Sequence, residues 1–295
     1  MKNYTSYDLI EWGKPFEKSQ HALPEPTLSE VLIRVTAAGL CHSDLHVQKG
    51  YMDLGEEGRL TFAERGAQLP MTFGHEIAGF VEAVGDKVKN VSIGQQVLVF
   101  PWIGCGDCLA CNEDRESDCS AMRIIGLKQK GGFATHCLIE NEKFLVNIDG
   151  LDAAEVVPHA CSGITVYNAL EKIGSLRNGE WLAVMGCGGL GLNAIAIAGA
   201  MGFENIIGID IDNSKLDAAR EMGASKTLNS KSANAVAELQ KYAESRLMAV
   251  IDTFGGESTG QLAVRALAKA GQYLLVGQAG GDFKMPQVWL PQKAM

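Results

Sequence analysis

The sequence predicts an α/β protein of two domains: a β-rich, barrel-like half over residues 1–150 and a second half, residues 151–295, built on a parallel sheet. Three observations predict it. Short apolar runs broken by glycine fill the first half, and apolar strands alternate with helical stretches in the second. Within the second half, Trp181 to Asp210 runs as strand, glycine turn, helix, strand and acid, all in register. At 295 residues the chain is long enough for each half to bury its own core.

In the first half, Val31 to Val35, Ile77 to Val84, Gln96 to Phe100 and Phe133 to Ile139 read as strands, punctuated by Gly39, Gly85 and Gly94. Tyr51 to Leu69 is charged, with Glu56, Glu57, Arg59, Glu64 and Arg65, and reads as a surface loop. A plain solvated insertion is favoured there over a border of the substrate entrance. The boundary between the halves falls near Asp149 and Gly150.

The second half is organised around Trp181-Leu182-Ala183-Val184-Met185, the turn Gly186-Cys187-Gly188-Gly189-Leu190-Gly191 and the helix-compatible Asn193 to Ala198. Gly186 permits a tight turn, Gly188 lets the backbone approach a pyrophosphate, and Gly191 lets the helix pack closely on its strand. The phosphates would lie over unpaired amides where the helix starts, with Gly189 and Leu190 in that turn. A second apolar run, Asn205 to Ile209, ends in Asp210. This acid can accept hydrogen bonds from both hydroxyls of an adenosine ribose and would repel a 2′-phosphate. That favours NAD over NADP, and no arginine follows Asp210 to meet a phosphate.

Two plainer readings compete for this stretch. Residues 181–203 carry no charge, as a membrane helix would, and a glycine turn can exist without a ligand. Glycines directly after a strand-length run oppose the first reading, and the terminal acid in register opposes the second. Later strands are expected at Leu247 to Ile251 and Gln272 to Val276, with helices near Ser214 to Met222, Ala233 to Tyr242 and Ser258 to Ala268.

With 26 basic and 35 acidic residues the formal charge is −9, which disfavours nucleic acid or an anionic membrane as partner. The N-terminal residues show no apolar core or cleavage signal, so a cytoplasmic setting is expected. Eight cysteines in a reducing compartment point to metal ligands or catalytic groups before disulfides. Cys105, Cys108, Cys111 and Cys119, in a lobe over about residues 101–122, are spaced to close a tetrahedral shell around Zn²⁺ with no position open to substrate. Disulfide pairing or free thiols are the competing readings, opposed by the short gaps and the compartment. The lobe's acidic residues read as solvated surface.

Three further segments hold polar groups: Cys41-His42-Ser43-Asp44-Leu45-His46, Gly74-His75-Glu76 and His159-Ala160-Cys161. Singly, each histidine or cysteine is more often packing than ligand. Together they offer Cys, His and Cys, a donor set that leaves a fourth position open on zinc.

The chain resembles the zinc-containing alcohol dehydrogenases of the medium-chain dehydrogenase/reductase family. Gly39 to Asp44, Gly74 to Glu76, the four-cysteine lobe, Cys161 to Thr165, and Gly186 to Gly191 with Asp210 match the family in order. The resemblance implies a GroES-like β-barrel catalytic domain and a doubly wound parallel-sheet (Rossmann) cofactor domain, with the active site in the cleft between them. It implies two Zn²⁺ per chain, one catalytic and one structural, NAD as cofactor, and an alcohol with its aldehyde or ketone as substrate pair. Cys41, His75 and Cys161 would ligate the catalytic ion, with Glu76 entering transiently. Asp44 would orient His75, Ser43 would bond the alcohol oxygen, and His46 would pass its proton on. His42 would meet the pyrophosphate, Thr165 the nicotinamide and Lys215 the adenosine ribose. Simpler readings stand beside these: Ser43 and Asp44 as helix caps, Lys215 as a solvated helix residue.

The sequence stops where the resemblance leads one to expect a last strand and closing helices, and a truncated domain is the expectation. A homodimer or homotetramer is expected of a full-length chain. Two alternatives are kept. A zinc-dependent polyol or threonine dehydrogenase is disfavoured by cysteine rather than glutamate at 161, and a noncatalytic cofactor-binding relative by the intact ligand set.

Overall fold

The computed structural model describes residues 2–294. They form two compact units, one running up to Met52 and resuming over Leu60–Cys161, the other Asp53–Arg59 with the described chain from Ser162 on.

The first unit contains β1 (Asn3–Leu9), β2 (Glu17–Ala22), β3 (Val31–Gly39), α1 (His42–Lys49), most of the short pair β4 (Tyr51–Asp53) and β5 (Arg59–Thr61), whose Asp53 and Arg59 ends fall in the second unit, and β6 (Met71–Thr72). It continues with β7 (Glu76–Val84), β8 (Gln96–Val99), β9 (Trp102–Ile103), α2 (Leu109–Asn112), β10 (Arg123–Ile124), β11 (His136–Ile139), β12 (Leu145–Asn147) and α3 (Ala153–Val156). An antiparallel sheet of order β11-β3-β7-β8-β12 faces a smaller one of order β2-β1-β6. Tyr7 N–H donates to the Phe133 carbonyl and Thr135 N–H to the Thr5 carbonyl, both at 2.8 Å, and these bonds link β1 to the segment leading into β11. The period-two pattern of the strands turns Val31, Ile33, Ile77, Val81, Val97 and Val99 into one core.

The first hairpin, β1 with β2, was not legible because the inward face of β1 is polar. Ser6 and Asp8 are buried there beside Tyr4. Asp8 is satisfied by the Thr72 hydroxyl at 2.6 Å and by His21 Nε2 at 2.9 Å. Residues 51–69 are not a plain solvated insertion. Phe62 and Ala67 are buried in an apolar cluster with Leu9, Val47 and Phe73, while the charged tip around Glu56 and Glu57 and the turn through Glu64 and Arg65 are exposed. The unit also continues past Gly150 to Cys161, because Val157 and Ala160 pack into a core with Ala78, Leu98 and Ile148.

The second unit alternates α4 (Ser162–Ile173), β13 (Trp181–Met185), α5 (Gly189–Ala200), β14 (Ile206–Asp210), α6 (Asn213–Glu221) and β15 (Lys226–Asn229). It then runs through α7 (Ala235–Tyr242), β16 (Leu247–Asp252), α8 (Glu257–Ala266), β17 (Gln272–Leu275) and α9 (Trp289–Lys293). The strands form a parallel sheet of order β15-β14-β13-β16-β17, so the strand order reverses direction at β13. All of β13 is buried, and its side chains alternate between two cores. Leu182 and Val184 join residues of α4, α5 and α6 on one face. Trp181, Ala183 and Met185 join residues of α7 and α8 on the other. The doubly wound sheet therefore explains the uncharged stretch 181–203: β13 is buried between helices, and α5 packs one face on the sheet through Gly191, Ala194, Ile195 and Ala198. Among the described residues no helix is long and apolar enough to cross a membrane.

Candidate active site

Cys41 is the N-cap of α1, with extended backbone at φ −90° and ψ 154°. Three residues on, Asp44 accepts the Cys41 N–H through Oδ2 at 2.9 Å, as in a capping box. The other oxygen of that buried carboxylate, Oδ1, lies 3.3 Å from Nδ1 of His75. Capping the helix and facing the imidazole are done by one side chain. With Nδ1 turned to Asp44, Nε2 is the nitrogen left for a metal.

Glycines make room for this arrangement. Gly74 has φ +90°, and a Cβ on it would lie 2.6 Å from the Phe133 ring, so only glycine lets the chain turn into His75 at the start of β7. Gly39 pairs across β3 and β7 with Glu76, and a Cβ there would lie 1.9 Å from Glu76 Oε2. Cys161, following the helical turn Val157–Ala160, brings its sulfur to 3.8 Å from that of Cys41. One donor atom from each of Cys41, His75, Glu76 and Cys161 lies within 4.8 Å of the others.

The electrostatics fit a cation. Hydrogen bonding from Cys161, joined against the effect of burial by His75 and the Ser43 N–H, brings the Cys41 thiol down to about 3. Cys161 moves the other way, raised by the Cys41 sulfur first and burial second, so the pair shares one proton. Burial disfavours a charged His75, but Asp44 and the Cys41 sulfur outweigh it and raise the imidazole to about 10. A divalent ion would displace these protons. Two sulfurs, an imidazole held by a carboxylate and an adjacent carboxylate are a donor set suited to Zn²⁺.

Around this cluster, His42 and Ser43 are exposed and His46 is half-buried, with the rings of His42 and His46 5.9 Å apart. Burial, then the nearby His42 and Lys49, lowers His46 below its ordinary range and so favours its neutral form.

The four cysteines of the lobe also converge, with sulfurs within 4.8 Å of one another and none in a disulfide. Cys105 N–H points to the Cys119 sulfur at 3.4 Å and Cys108 N–H to the Cys105 sulfur at 3.4 Å, and although such bonds favour a thiolate, the side chain of Asp107 pushes the Cys105 thiol up to about 12. The first of these bonds is the main reason the Cys119 thiol falls to about 7. A Cβ on Gly104 would lie 2.6 Å from the Cys111 sulfur.

In the second unit, Gly186 has φ +87°, and a Cβ on Gly191 would lie 1.8 Å from the Gly186 carbonyl oxygen. At Gly188 and Gly189 an added Cβ would meet nothing within 4 Å. The turn is thus tight where strand meets helix and open where Gly189 and Leu190 start α5, which suits a pyrophosphate. Asp210, at the end of β14, is buried and accepts N–H groups from Cys187 at 2.8 Å, Ile211 at 2.7 Å and Asp212 at 3.0 Å. Thr165 is half-buried in the first turn of α4, and Lys215 is exposed in the first turn of α6. No sequence motif marks Thr253, whose hydroxyl reaches the glycine turn.

A model of the alcohol dehydrogenase GroES-like domain matches residues 27–150, and one of zinc-binding dehydrogenases matches residues 189–295. A GroES-like unit and a Rossmann-like unit, each holding the motifs described, define a zinc-binding dehydrogenase. An NAD-dependent alcohol dehydrogenase of Sulfurisphaera tokodaii is 40% identical over 279 residues, which is 94% of this chain and 79% of that protein. The structure of an alcohol dehydrogenase from Aeropyrum pernix matches at a TM-score of 0.88 and 26% identity, over 98% of this chain and 83% of that one. A D-arabinose dehydrogenase from Sulfolobus solfataricus matches at 0.86 and 28% identity, over 100% of this chain and 87% of that one. The chain belongs to the zinc-dependent alcohol dehydrogenases of the medium-chain dehydrogenase/reductase family.

Proposed function

We infer that the chain interconverts a primary or secondary alcohol and its aldehyde or ketone, with hydride passing to or from NAD(H). The observation that carries this reading is the convergence of Cys41, His75 and Cys161 with Asp44 turned onto the imidazole. In this reading the first unit, which runs to Cys161, forms the catalytic domain and the chain from Ser162 on the cofactor domain. Cys41, His75 and Cys161 would hold one Zn²⁺, and Cys105, Cys108, Cys111 and Cys119 a second, structural one. When bound, the catalytic ion supplies Lewis acidity that makes an alcohol hydroxyl easier to deprotonate, and the nicotinamide ring accepts hydride.

The chain's own residues prepare that chemistry. Asp44 fixes the His75 ring and its tautomer. Glu76 stands among the ligands as an exchangeable carboxylate. Ser43 offers an exposed hydroxyl to the alcohol oxygen, and His46, one helical turn on and favoured in its neutral form, can take the proton towards solvent. His42 would meet the cofactor phosphates. On the second unit, Gly186, Gly188, Gly189, Leu190 and Gly191 would cradle the pyrophosphate. Asp210 would bond the ribose, with Lys215 beside it, and Thr165 would touch the nicotinamide.

The likeness to a D-arabinose dehydrogenase supports a polyhydroxylated substrate, a sugar or a polyol, as the second reading. Appearance of NADH with a panel of primary, secondary, aromatic and polyol alcohols separates the two. Wild-type turnover in Cys41→Ala or His75→Ala would remove the zinc mechanism. Binding of NADH without turnover of any alcohol would leave a noncatalytic cofactor-binding protein. The same reading includes a cytoplasmic setting and a homodimer or homotetramer, which sedimentation of the purified protein checks.

A further inference from the structure

We propose that Thr253 is a positioning residue for the dinucleotide: its hydroxyl clamps one peptide group of the glycine turn whose other end is held by Asp210. The proposal rests on the reading of the second unit as an NAD-binding domain.

The turn after β13 passes through Gly186 at φ +87°, where a side chain is strained. The carbonyl of Gly186 and the N–H of Cys187 belong to one trans peptide and point in opposite directions. Thr253 Oγ1 lies 2.8 Å from that carbonyl oxygen, and the Cys187 N–H donates to Asp210 Oδ2, also at 2.8 Å. One peptide plane is therefore gripped at both ends by side chains from different strands. The single hydroxyl proton is shared, since the Met185 carbonyl is also 2.8 Å from Oγ1.

The hydroxyl also stands where a side chain on Gly186 would go. A Cβ there would lie 2.8 Å from Oγ1, and one on Gly191 would lie 1.8 Å from the carbonyl that Thr253 holds. A short donor between the strand and the helix start fixes both contacts. If that carbonyl turned into the open side at Gly188, its negative end would face the phosphates, and Asp210 would lose the Cys187 N–H.

Thr253 is itself held in place. Its N–H donates to the Met185 carbonyl at 2.9 Å. The preceding Asp252, fully buried, accepts the N–H groups of Phe254 at 3.0 Å and Gly255 at 2.9 Å, and the Tyr273 hydroxyl at 2.9 Å. The end of β16 is thus rigid without help from Thr253's side chain, so removing the hydroxyl should free the Gly186–Cys187 peptide and little else.

The test is NADH affinity of the full chain, read from nicotinamide fluorescence. Thr253→Val is expected to raise the Kd roughly tenfold, the scale of a lost buried hydrogen bond. Thr253→Ser, which keeps the hydroxyl, should stay within about threefold of wild type, well under the loss set by that bond. Zinc content should be the same in all three proteins. If Thr253→Val does not fold, as judged by circular dichroism, Thr253→Ala carries the same expectation. Wild-type affinity in a folded Val or Ala variant, or an equal loss in the Ser variant, overturns the proposal. A wild-type chain that does not bind NADH overturns the cofactor reading and this proposal with it.

Discussion

Asp44 joins two ligand-bearing segments: one carboxylate oxygen accepts the N–H of Cys41 at 2.9 Å, and the other lies 3.3 Å from Nδ1 of His75. The helix cap and the histidine orientation are thereby one event. Asn at 44 would keep an oxygen for the cap but lose the charge facing the imidazole. Asp44→Asn is expected to lower zinc affinity by roughly 10–100-fold with α1 intact. Competition with a chromophoric chelator measures it, and unchanged affinity would separate Asp44 from the metal site.

The lobe cysteines should act on stability more than on turnover. Cys111→Ser is expected to remove one zinc per chain and lower the thermal midpoint by roughly 5–15 °C. Metal analysis beside thermal unfolding checks this. Retention of both ions by the variant would contradict the four-sulfur site.

At Gly191 the obstacle is backbone. A Cβ there lies 1.8 Å from the Gly186 carbonyl oxygen, so no side-chain rotation relieves Gly191→Ala. The expected cost is about 1–3 kcal/mol of stability, the scale of overpacking, together with loss of NADH binding. Chemical denaturation and fluorescence titration read the two effects separately. An alanine variant with wild-type affinity would show that close packing at this point is dispensable.

Acid should weaken the first unit through Asp8. Burial alone would raise its carboxyl, but hydrogen bonds from Thr72 and His21 outweigh burial and hold it below the usual range. A lowered folded value contributes stability that is present above the unfolded value of about 3.9 and is lost as pH falls through the folded value. The wild-type advantage over Asp8→Asn should therefore shrink below about pH 4. Denaturation of both proteins at several pH values tests this, and a pH-independent difference would contradict it.

The parallel sheet was legible because β13, β14 and β16 are buried on both faces and read as continuous apolar runs. The convergence of both cysteine sets was legible because residue types that suit a metal shell recur there at short spacing or in the order of the family's motifs. The β1–β2 hairpin was hidden by Ser6 and Asp8 on its inward face, since polar residues satisfied by distant partners break the hydrophobic alternation. Phe62 and Ala67 were hidden for the opposite reason: charged neighbours masked two anchors. Thr253 gave no signal, because its partners are carbonyl groups, which every residue carries.

The sulfurs of Cys41 and Cys161 meet across 120 positions of chain. An ion held there would be a removable cross-link, closing a long loop whose closure costs the unfolded chain entropy. A chelator would then lower the stability of the first unit, and release of the ion would report how often that unit opens.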